Sequence, residues 1–255
     1  MKTSIFLTIA SISILLLSNC VESTAELATE AAKVIVQSHA QVKGSGKIVE
    51  KEIEVADFSS IENATSFDIE IKQGDKATVK VVTDDNLQDF LYFKQVEGKL
   101  TISIQVKASF EATKSIIYVT VKDLNSLISS GTGDVKISKL SSENFTIENN
   151  GTGDINYLDM SSKILNISNS GTGDIKLEGT IENLNIENSG TGDITALNLE
   201  ANYVELSNSG TGDVSIKAKT DLKIENTGTG DVKYYGKPEK STINSSGTGD
   251  VIKKD

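Results

Sequence analysis

The second half of the sequence repeats one tetrapeptide at nearly constant intervals. Gly-Thr-Gly-Asp begins at residues 131, 151, 171, 190, 210, 228 and 247, so that successive copies are separated by 18 to 20 residues. A period near twenty residues is typical of a solenoid, in which each repeat forms one coil and the coils stack on one another. The repeat therefore restricts this half of the chain to a stacked architecture.

The side-chain pattern within each repeat indicates which kind of coil is formed. Apolar residues alternate with polar ones, as in Ile175 and Leu177 or Leu222 and Ile224, and a period of two is that of β-strands. Helical solenoids repeat at about 33 residues or more, and the Leu-x-x-Leu-x-Leu signature of leucine-rich repeats is absent from the repeat. The sequence thus predicts an all-β fold, a parallel β-solenoid (β-helix) of about 20 residues per coil.

The chain begins with a stretch typical of an exported protein. Residues 1–19 join Lys2 to an apolar run, which predicts a signal peptide. The following Leu17-Ser18-Asn19-Cys20 resembles the lipobox of bacterial lipoproteins, although Gly, Ala or Ser usually stands where Asn19 does. We expect Cys20 to be lipidated and residues 20–46 to form a tether between anchor and body. The alternative is an ordinary signal peptide that ends near Cys20.

Between the tether and the repeats, residues 47–125 alternate as strands and predict an N-terminal β-rich cap region. One hairpin is expected between residues 67–72 and 77–82, and another between 91–95 and 100–105. Residues 84–90 are expected to hold one short helical turn. The repeat solenoid is assigned to residues 126–255, where the charged C-terminal residues blunt the open edge.

The charge balance excludes some classes of partner. Without the signal peptide the chain carries 24 lysines, no arginine and 36 acidic residues, a net charge of −12. Nucleic acids and anionic lipid surfaces require clustered cations, so neither is expected as a partner. Contact with a membrane is predicted only through the lipid anchor.

Alternation through the repeated motif predicts which residues face inward. The two glycines and the preceding asparagine fall on the apolar face, whereas threonine and aspartate fall on the outer face. An internal ladder of amide groups is expected from Asn149, Asn169, Asn188, Asn208 and Asn226. The glycines would allow a sharp turn or a close approach to the opposite wall. Phosphate binding is disfavoured, because no helix and no P-loop lysine follow the motif.

The outer face presents a candidate ligand-facing stripe of small polar side chains. Six intervals of about 4.8 Å between coils would make it about 29 Å long, so that weak contacts could add along it. We define the polar stripe as the residues Thr132, Asp134, Thr152, Asp154, Thr172, Asp174, Thr191, Asp193, Thr211, Asp213, Thr229, Asp231, Thr248 and Asp250.

Stacked aspartates repel one another and need a compensating contact. Hydrogen bonds from threonine hydroxyls or turn amides, with Lys136, Lys176 and Lys233 nearby, are the favoured explanation. Bridging cations are the alternative, by comparison with the calcium-binding nonapeptide repeat. However, one motif per coil offers too few oxygens for the six to eight ligands that Ca²⁺ takes. No metal site or cofactor is therefore predicted.

Ice binding is also disfavoured, because ice-binding β-solenoids usually present two threonine columns, whereas this repeat has a single threonine column beside a row of charged aspartates.

Catalysis is not expected. The repeat region contains no Arg, His or Cys, and its acids recur in register, whereas a catalytic site brings a few unlike groups together at one place. We predict no catalytic residues.

Several segments, in this order, resemble the family described as "putative auto-transporter adhesin, head GIN domain". They are residues 47–55, 57–61, 67–75, 119–127 and 130–135. The resemblance implies a right-handed β-helix-like fold and an exported or lipid-anchored protein of a Gram-negative bacterium, at the outer membrane or cell surface. It transfers no binding residues.

The function that these observations favour is a non-catalytic adhesion or scaffolding module of the cell envelope, with a glycan or a surface protein as its ligand. Two alternatives remain open, namely a polysaccharide-binding or polysaccharide-modifying β-helix protein and a metal-stabilised structural module. The sequence does not specify the oligomeric state.

Overall fold

The computed structural model describes residues 41–105 and 109–254, which divide into two units. In the smaller unit, strand β1 (Gln41–Lys43) pairs in parallel with β8 (Ser109–Glu111). The larger unit holds residues 44–105 and the chain from Ala112 onward. The predicted signal peptide, Cys20 and most of the predicted tether lie outside the described residues.

The larger unit is built from strands. They are, in chain order, β2 (Ile48–Ile53), β3 (Ser60–Ala64), β4 (Asp68–Gln73), β5 (Thr78–Asp84), β6 (Leu91–Val96), β7 (Lys99–Ile104), β9 (Ser115–Val121), β10 (Ser126–Ser129), β11 (Val135–Ser138), β12 (Ser141–Asn149), β13 (Ile155–Asn169), β14 (Ile175–Asn188), β15 (Ile194–Asn208), β16 (Val214–Asn226), β17 (Val232–Tyr235), β18 (Lys240–Ser245) and β19 (Val251–Lys253). A 3-10 turn at Gln88–Phe90 confirms the expected helical turn. In the described ranges, no helix has the length and apolar character needed to span a membrane.

Strands β12 to β16 establish the solenoid, because each pairs in parallel with the next at a spacing of one repeat. Asn169 lies beside Asn188, and Asn188 lies beside Asn208. The backbone hydrogen bonds therefore run between coils, along the stack. This register confirms the predicted all-β solenoid.

The stack extends further toward the N-terminus than the glycine repeats do. Strand β10 pairs in parallel with β3, and β11 pairs in parallel with β4. Residues 60–73 thus form a coil of their own, and on its other side β3 pairs with β7 and β4 with β9. Coil stacking consequently reaches into the segment 47–125.

Antiparallel strands complete the N-terminal part of the larger unit. Strand β6 pairs with β7, which confirms the hairpin expected between residues 91–95 and 100–105. The other predicted hairpin is wrong, because β4 is flanked by β9 and β11, and β5 pairs with β9 and β2. The physical reason is that Ile117 of β9 lies between Ile69 and Val81, an apolar pairing that neighbouring sequence patterns do not reveal.

The core lies inside the coils and follows the predicted alternation. Ile175, Leu177, Leu184 and Ile186 are all buried within one repeat. Near the first glycine repeats, larger side chains fill the interior, where the rings of Phe145 and Tyr157 meet edge to face at 5.2 Å between centroids. The Tyr157 hydroxyl donates to the carbonyl of Leu140, and burial raises its pKa well above the usual value.

Candidate ligand-binding surface

The asparagine that stands two residues before five of the seven glycine motifs forms the predicted internal ladder. Asn149, Asn169, Asn188 and Asn208 each donate from Nδ2 to the side-chain oxygen of the next asparagine, at 2.9–3.0 Å. Each Nδ2 also lies within hydrogen-bond distance of a glycine carbonyl in the following coil, as Asn149 does with Gly173 at 3.1 Å. These amides are buried and satisfied, as buried polar groups must be.

The glycines have a different role from the one expected. A Cβ at Gly171 would run into the carbonyl oxygen of Gly151, and one at Gly173 would run into that of Gly153. Neither glycine has a positive φ. What excludes a side chain is therefore the backbone of the preceding coil, not the geometry of a turn or the opposite wall.

The aspartates of the polar stripe accept hydrogen bonds from turn amides, as the favoured explanation predicts. The amide of Asp154 donates to Oδ1 of Asp134 at 2.8 Å, and the amide of Asp174 donates to Asp154 in the same way. This pattern continues to Asp250. The carboxylate thus replaces a backbone carbonyl as the acceptor, and the ion–dipole contact offsets repulsion between neighbouring carboxylates.

The aspartate column has one more member than the sequence analysis recognised. The amide of Asp134 donates to Oδ1 of Asp68 at 3.0 Å, and Asn63 lies in register with Ser129. The segment Asn63–Asp68 is therefore a turn of the same kind without its glycines. The only signal in the sequence was that Asp68 follows Asn63 by five residues, as Asp174 follows Asn169.

The threonines differ from the other members of the motif. All seven, from Thr132 to Thr248, are exposed. Their backbones continue the ladder, as when the amide of Thr172 donates to the carbonyl of Gly151 at 3.0 Å. Within the described residues, hydrogen bonds engage the Asn and Asp side chains of the motif, whereas the threonine hydroxyls face solvent without a protein partner. These hydroxyls form a single file along the stack.

One lysine among the three expected near the stripe pairs with it directly. The ammonium of Lys233 lies 2.9 Å from Oδ2 of Asp213. This lysine, together with the amide of Asp231, holds the pKa of Asp213 below its usual range, and Asp213 raises the pKa of Lys233. Lys176 instead pairs with Glu178 at 2.8 Å. Asp213 is the stripe aspartate that forms an ion pair in the described residues. The other stripe aspartates therefore keep one carboxylate oxygen turned toward solvent.

No cluster of three or more His, Cys, Asp or Glu side chains suited to a metal ion occurs in the part of the chain that the structure describes. Each stripe carboxylate accepts a hydrogen bond through one oxygen from the backbone amide of the next coil's aspartate. The carboxylates therefore follow one another along the stack and do not converge on one point.

Solved structures share this architecture. A protein of Bacteroides fragilis NCTC 9343, described as "a putative adhesin", is 29% identical to this chain, with a TM-score of 0.77 over 83% of this chain and 99% of that chain. A protein of Parabacteroides distasonis ATCC 8503, described as "Putative lipid binding protein", is 24% identical, with a TM-score of 0.67 over 84% and 100% of the two chains. A further "putative adhesin", from Parabacteroides merdae ATCC 43184, is 21% identical, with a TM-score of 0.65 over 84% and 99%. For the two Parabacteroides proteins, the similarity to this chain is one of fold.

A search of curated proteins found no match to the sequence. The family model described as "Putative auto-transporter adhesin, head GIN domain" matches residues 57–238. That range runs from the coil of β3 and β4 to the end of β17, and it includes most of the polar stripe. The chain therefore belongs to the auto-transporter adhesin head GIN domain family.

Proposed function

We propose that this protein is an exported, lipid-anchored and non-catalytic module of the cell envelope that adheres to its ligand through the polar stripe. The family description and that of the 29%-identical relative both refer to adhesion rather than to a reaction. An adhesin acts at the cell surface, which agrees with the signal peptide and the lipobox-like Leu17–Cys20 of the sequence.

The observation that carries the proposal is the exposure of the threonine hydroxyls. Asn, Gly and Asp of each turn are explained by contacts between coils. The threonine side chain has no such contact in the described structure, yet it recurs in all seven copies. A row of hydroxyls, each beside a carboxylate oxygen, can donate and accept hydrogen bonds at a repeat of about 4.8 Å.

Binding through such a row would be polyvalent. Each hydroxyl contributes about 0.5–1.5 kcal/mol when it exchanges water for a ligand group. Contacts held on one rigid stack act at high effective concentration, so their contributions add without a new entropic cost for each. A repetitive ligand, such as a glycan chain or an extended surface protein, would benefit most.

The test is a binding screen of the full chain against immobilised glycans and matrix proteins. In the central variant, Thr152, Thr172, Thr191 and Thr211 are all changed to Val, which keeps the β-branched shape and removes the hydroxyl. We expect loss of binding with unchanged thermal stability. The matched control changes the same four residues to Ser, which keeps the hydroxyl and should retain binding.

A second variant replaces the central aspartates Asp154, Asp174, Asp193 and Asp213 by Asn. Loss of binding in this variant as well would assign the ligand to both columns of the stripe. Full binding by the Val variant would place the ligand elsewhere and refute the proposal.

The lipid anchor has a separate test. Cells that express the protein are grown with a radiolabelled or clickable fatty acid, and the protein is then isolated from membrane and soluble fractions. We expect labelling of the wild type and its recovery with membranes. Cys20→Ser should lose both the label and membrane recovery, and an unlabelled wild type would contradict the assignment.

A further inference from the structure

A groove lies on the outer face of the sheet at the N-terminal part of the larger unit. It has a volume of about 880 Å³, which is within the range of about 300–1,000 Å³ found for small-molecule sites. Strands β2, β5, β9 and β4 form its floor, and Ser138 of β11 closes one side. We call it the β2–β4 groove.

The side chains that line the groove form two rows across the strands. In the first row, Glu52 lies beside Lys80, Lys80 beside Tyr118, and Tyr118 beside Glu70. In the second row, Thr78 lies beside Thr120, and Thr120 lies beside Lys72. Neighbours in a row project from the same face of the sheet, so both rows point into the groove.

The groove is electrically balanced, unlike the chain as a whole. Its lining includes three carboxylates, of Glu52, Glu54 and Glu70, and three ammonium groups, of Lys72, Lys76 and Lys80. The complete sequence carries a formal net charge of −11. A balanced lining complements an uncharged polar ligand better than an ion of either sign.

These charges are equal in number but largely unpaired. On the coils, surface charges pair closely, as Lys163 does with Glu143 at 2.6 Å and Lys223 with Glu205 at 2.6 Å. Of the groove's charged groups, Lys80 pairs with Glu50, which is not part of the lining, at 3.1 Å. Among the described residues, the other charged groups of the lining and the hydroxyls of Thr78 and Thr120 make no ion pair or side-chain hydrogen bond with protein. These charged groups and hydroxyls can therefore form hydrogen bonds with a ligand.

An aromatic side chain stands in the centre of the first row. The ammonium of Lys80 lies 5.3 Å from the ring centroid of Tyr118, a cation–π contact that holds the ring in place. The part of the ring that Lys80 leaves open offers an apolar surface for C–H groups, and the carboxylates and hydroxyls beside it offer acceptors for O–H groups. Sugars present both kinds of group on one molecule.

We propose that the β2–β4 groove binds a neutral saccharide, with Tyr118 contacting the sugar ring and Glu70 and Thr120 bonding its hydroxyls. This site uses other residues than the polar stripe, and it stands whether or not the stripe binds a ligand. It adds a saccharide-binding function to the molecule.

The test is binding of the purified full chain to an array of neutral and acidic oligosaccharides, followed by titration calorimetry with the best neutral one. We expect retention of neutral oligosaccharides. Glu70→Ala and Thr120→Val should each weaken the affinity about ten-fold, the loss expected when a hydrogen bond to a ligand hydroxyl is removed. Tyr118→Ala should weaken it at least as much.

Thermal unfolding of each variant checks the fold, and the near-isosteric Thr120→Val serves if Tyr118→Ala does not fold. The Thr-to-Val stripe variant described above is the matched control and should bind the oligosaccharide as the wild type does. Retention of acidic glycans alone, no retention at all, or a loss confined to the stripe variant would overturn the proposal. The last outcome would at the same time support the stripe, so the two proposals can fail separately.

Discussion

At the scale of single residues, the Asn and Asp side chains of the repeated turn bond different partners. The carboxylate of each aspartate accepts the amide of the next one, as Asp174 does from Asp193 at 2.8 Å. The asparagine amide bonds the neighbouring asparagine and a glycine carbonyl. Both polar residues therefore complete the hydrogen bonding of the backbone where the chain turns, which is required wherever the backbone is buried.

The first prediction separates the acceptor role of the aspartate from its charge. Asp174→Asn keeps an oxygen for the amide of Asp193, and we expect its free energy of unfolding to stay within about 0.5 kcal/mol of the wild type. Asp174→Ala removes the acceptor and should lose about 1–2 kcal/mol. Urea unfolding followed by circular dichroism measures both. Equal losses in the two variants would show that charge, not acceptance, matters.

The second prediction concerns the glycines. Gly171→Ala forces a methyl group into the carbonyl of Gly151, and we expect a loss of about 3 kcal/mol or more, because two coils would have to separate. Thr172→Ala, on the exposed neighbouring residue, is the control and should change stability by about 0.5 kcal/mol or less. A tolerated Gly171→Ala would mean that the coils are not in this close contact.

A third prediction rests on Asp84, a buried carboxylate apart from the stripe. Burial raises the pKa of Asp84, but hydrogen bonds from the amides of Thr113 and Gly46, each at 2.7 Å, outweigh burial and hold the pKa below its usual value. A lowered pKa stabilises the fold above the unfolded-state pKa of about 3.9, and this contribution is lost as the pH falls through the folded-state pKa.

Stability should therefore fall less steeply with acidification in Asp84→Asn than in the wild type, although this variant is less stable near neutral pH. Urea midpoints measured from neutral pH down to about pH 3 test this. Asp75→Asn, at an exposed aspartate, is the control for the loss of one carboxylate from the surface. An unchanged slope in Asp84→Asn would contradict the role given to Asp84.

At the scale of elements, the asparagine ladder has one interruption between strands β3 and β12. Ser129 of β10 lies in register with both Asn63 and Asn149. Its hydroxyl is buried without a hydrogen-bond partner. A buried polar group without a partner costs free energy, so this position weakens the stack at the junction between the N-terminal coil and the glycine repeats.

The fourth prediction is that Ser129→Asn stabilises the protein by about 1 kcal/mol. The new amide would donate to Asn149, whose own amide already bonds Asn169. The thermal unfolding midpoint measures the gain. Asn169→Ser, which creates the same interruption inside the ladder, should be destabilising, and a destabilising Ser129→Asn would show that the position lacks room for an amide.

At the scale of the whole molecule, each coil of the larger unit contacts chiefly its two neighbours. Strands β13, β14, β15 and β16 pair only with the preceding and following coils. Stability in such a stack is approximately a sum of terms for single coils and for their interfaces. The molecule should therefore tolerate the loss of one complete repeat far better than the loss of part of one.

The fifth prediction tests this directly. Deletion of residues 171–189 joins Ser170 to Gly190 and removes one repeat, so that β13 meets β15 in the register that β14 had with both. We expect a folded protein with a reduced denaturant dependence of unfolding, in proportion to the smaller buried surface. Deletion of residues 171–180 breaks the register and should prevent folding. Equal behaviour of the two deletions would contradict the modular stack.

The repeat by itself determined the solenoid, the alternation of buried and exposed residues, and the column of threonines on the outside. These follow from local spacing, because a period of twenty residues with strand alternation leaves one way to bury each apolar face. The aspartate acceptors were also foreseen, since stacked carboxylates must be compensated.

The tertiary structure decided what depends on neighbours distant in the sequence. It placed β9 between β4 and β5, and it identified Asn63–Asp68 as a turn of the repeated kind although Thr65 and Phe67 stand where glycines recur. It also explained the glycines by the carbonyls of the preceding coil. The reason is that strand pairing and close backbone approach depend on which coil lies next in space. Local sequence patterns do not specify that neighbouring coil.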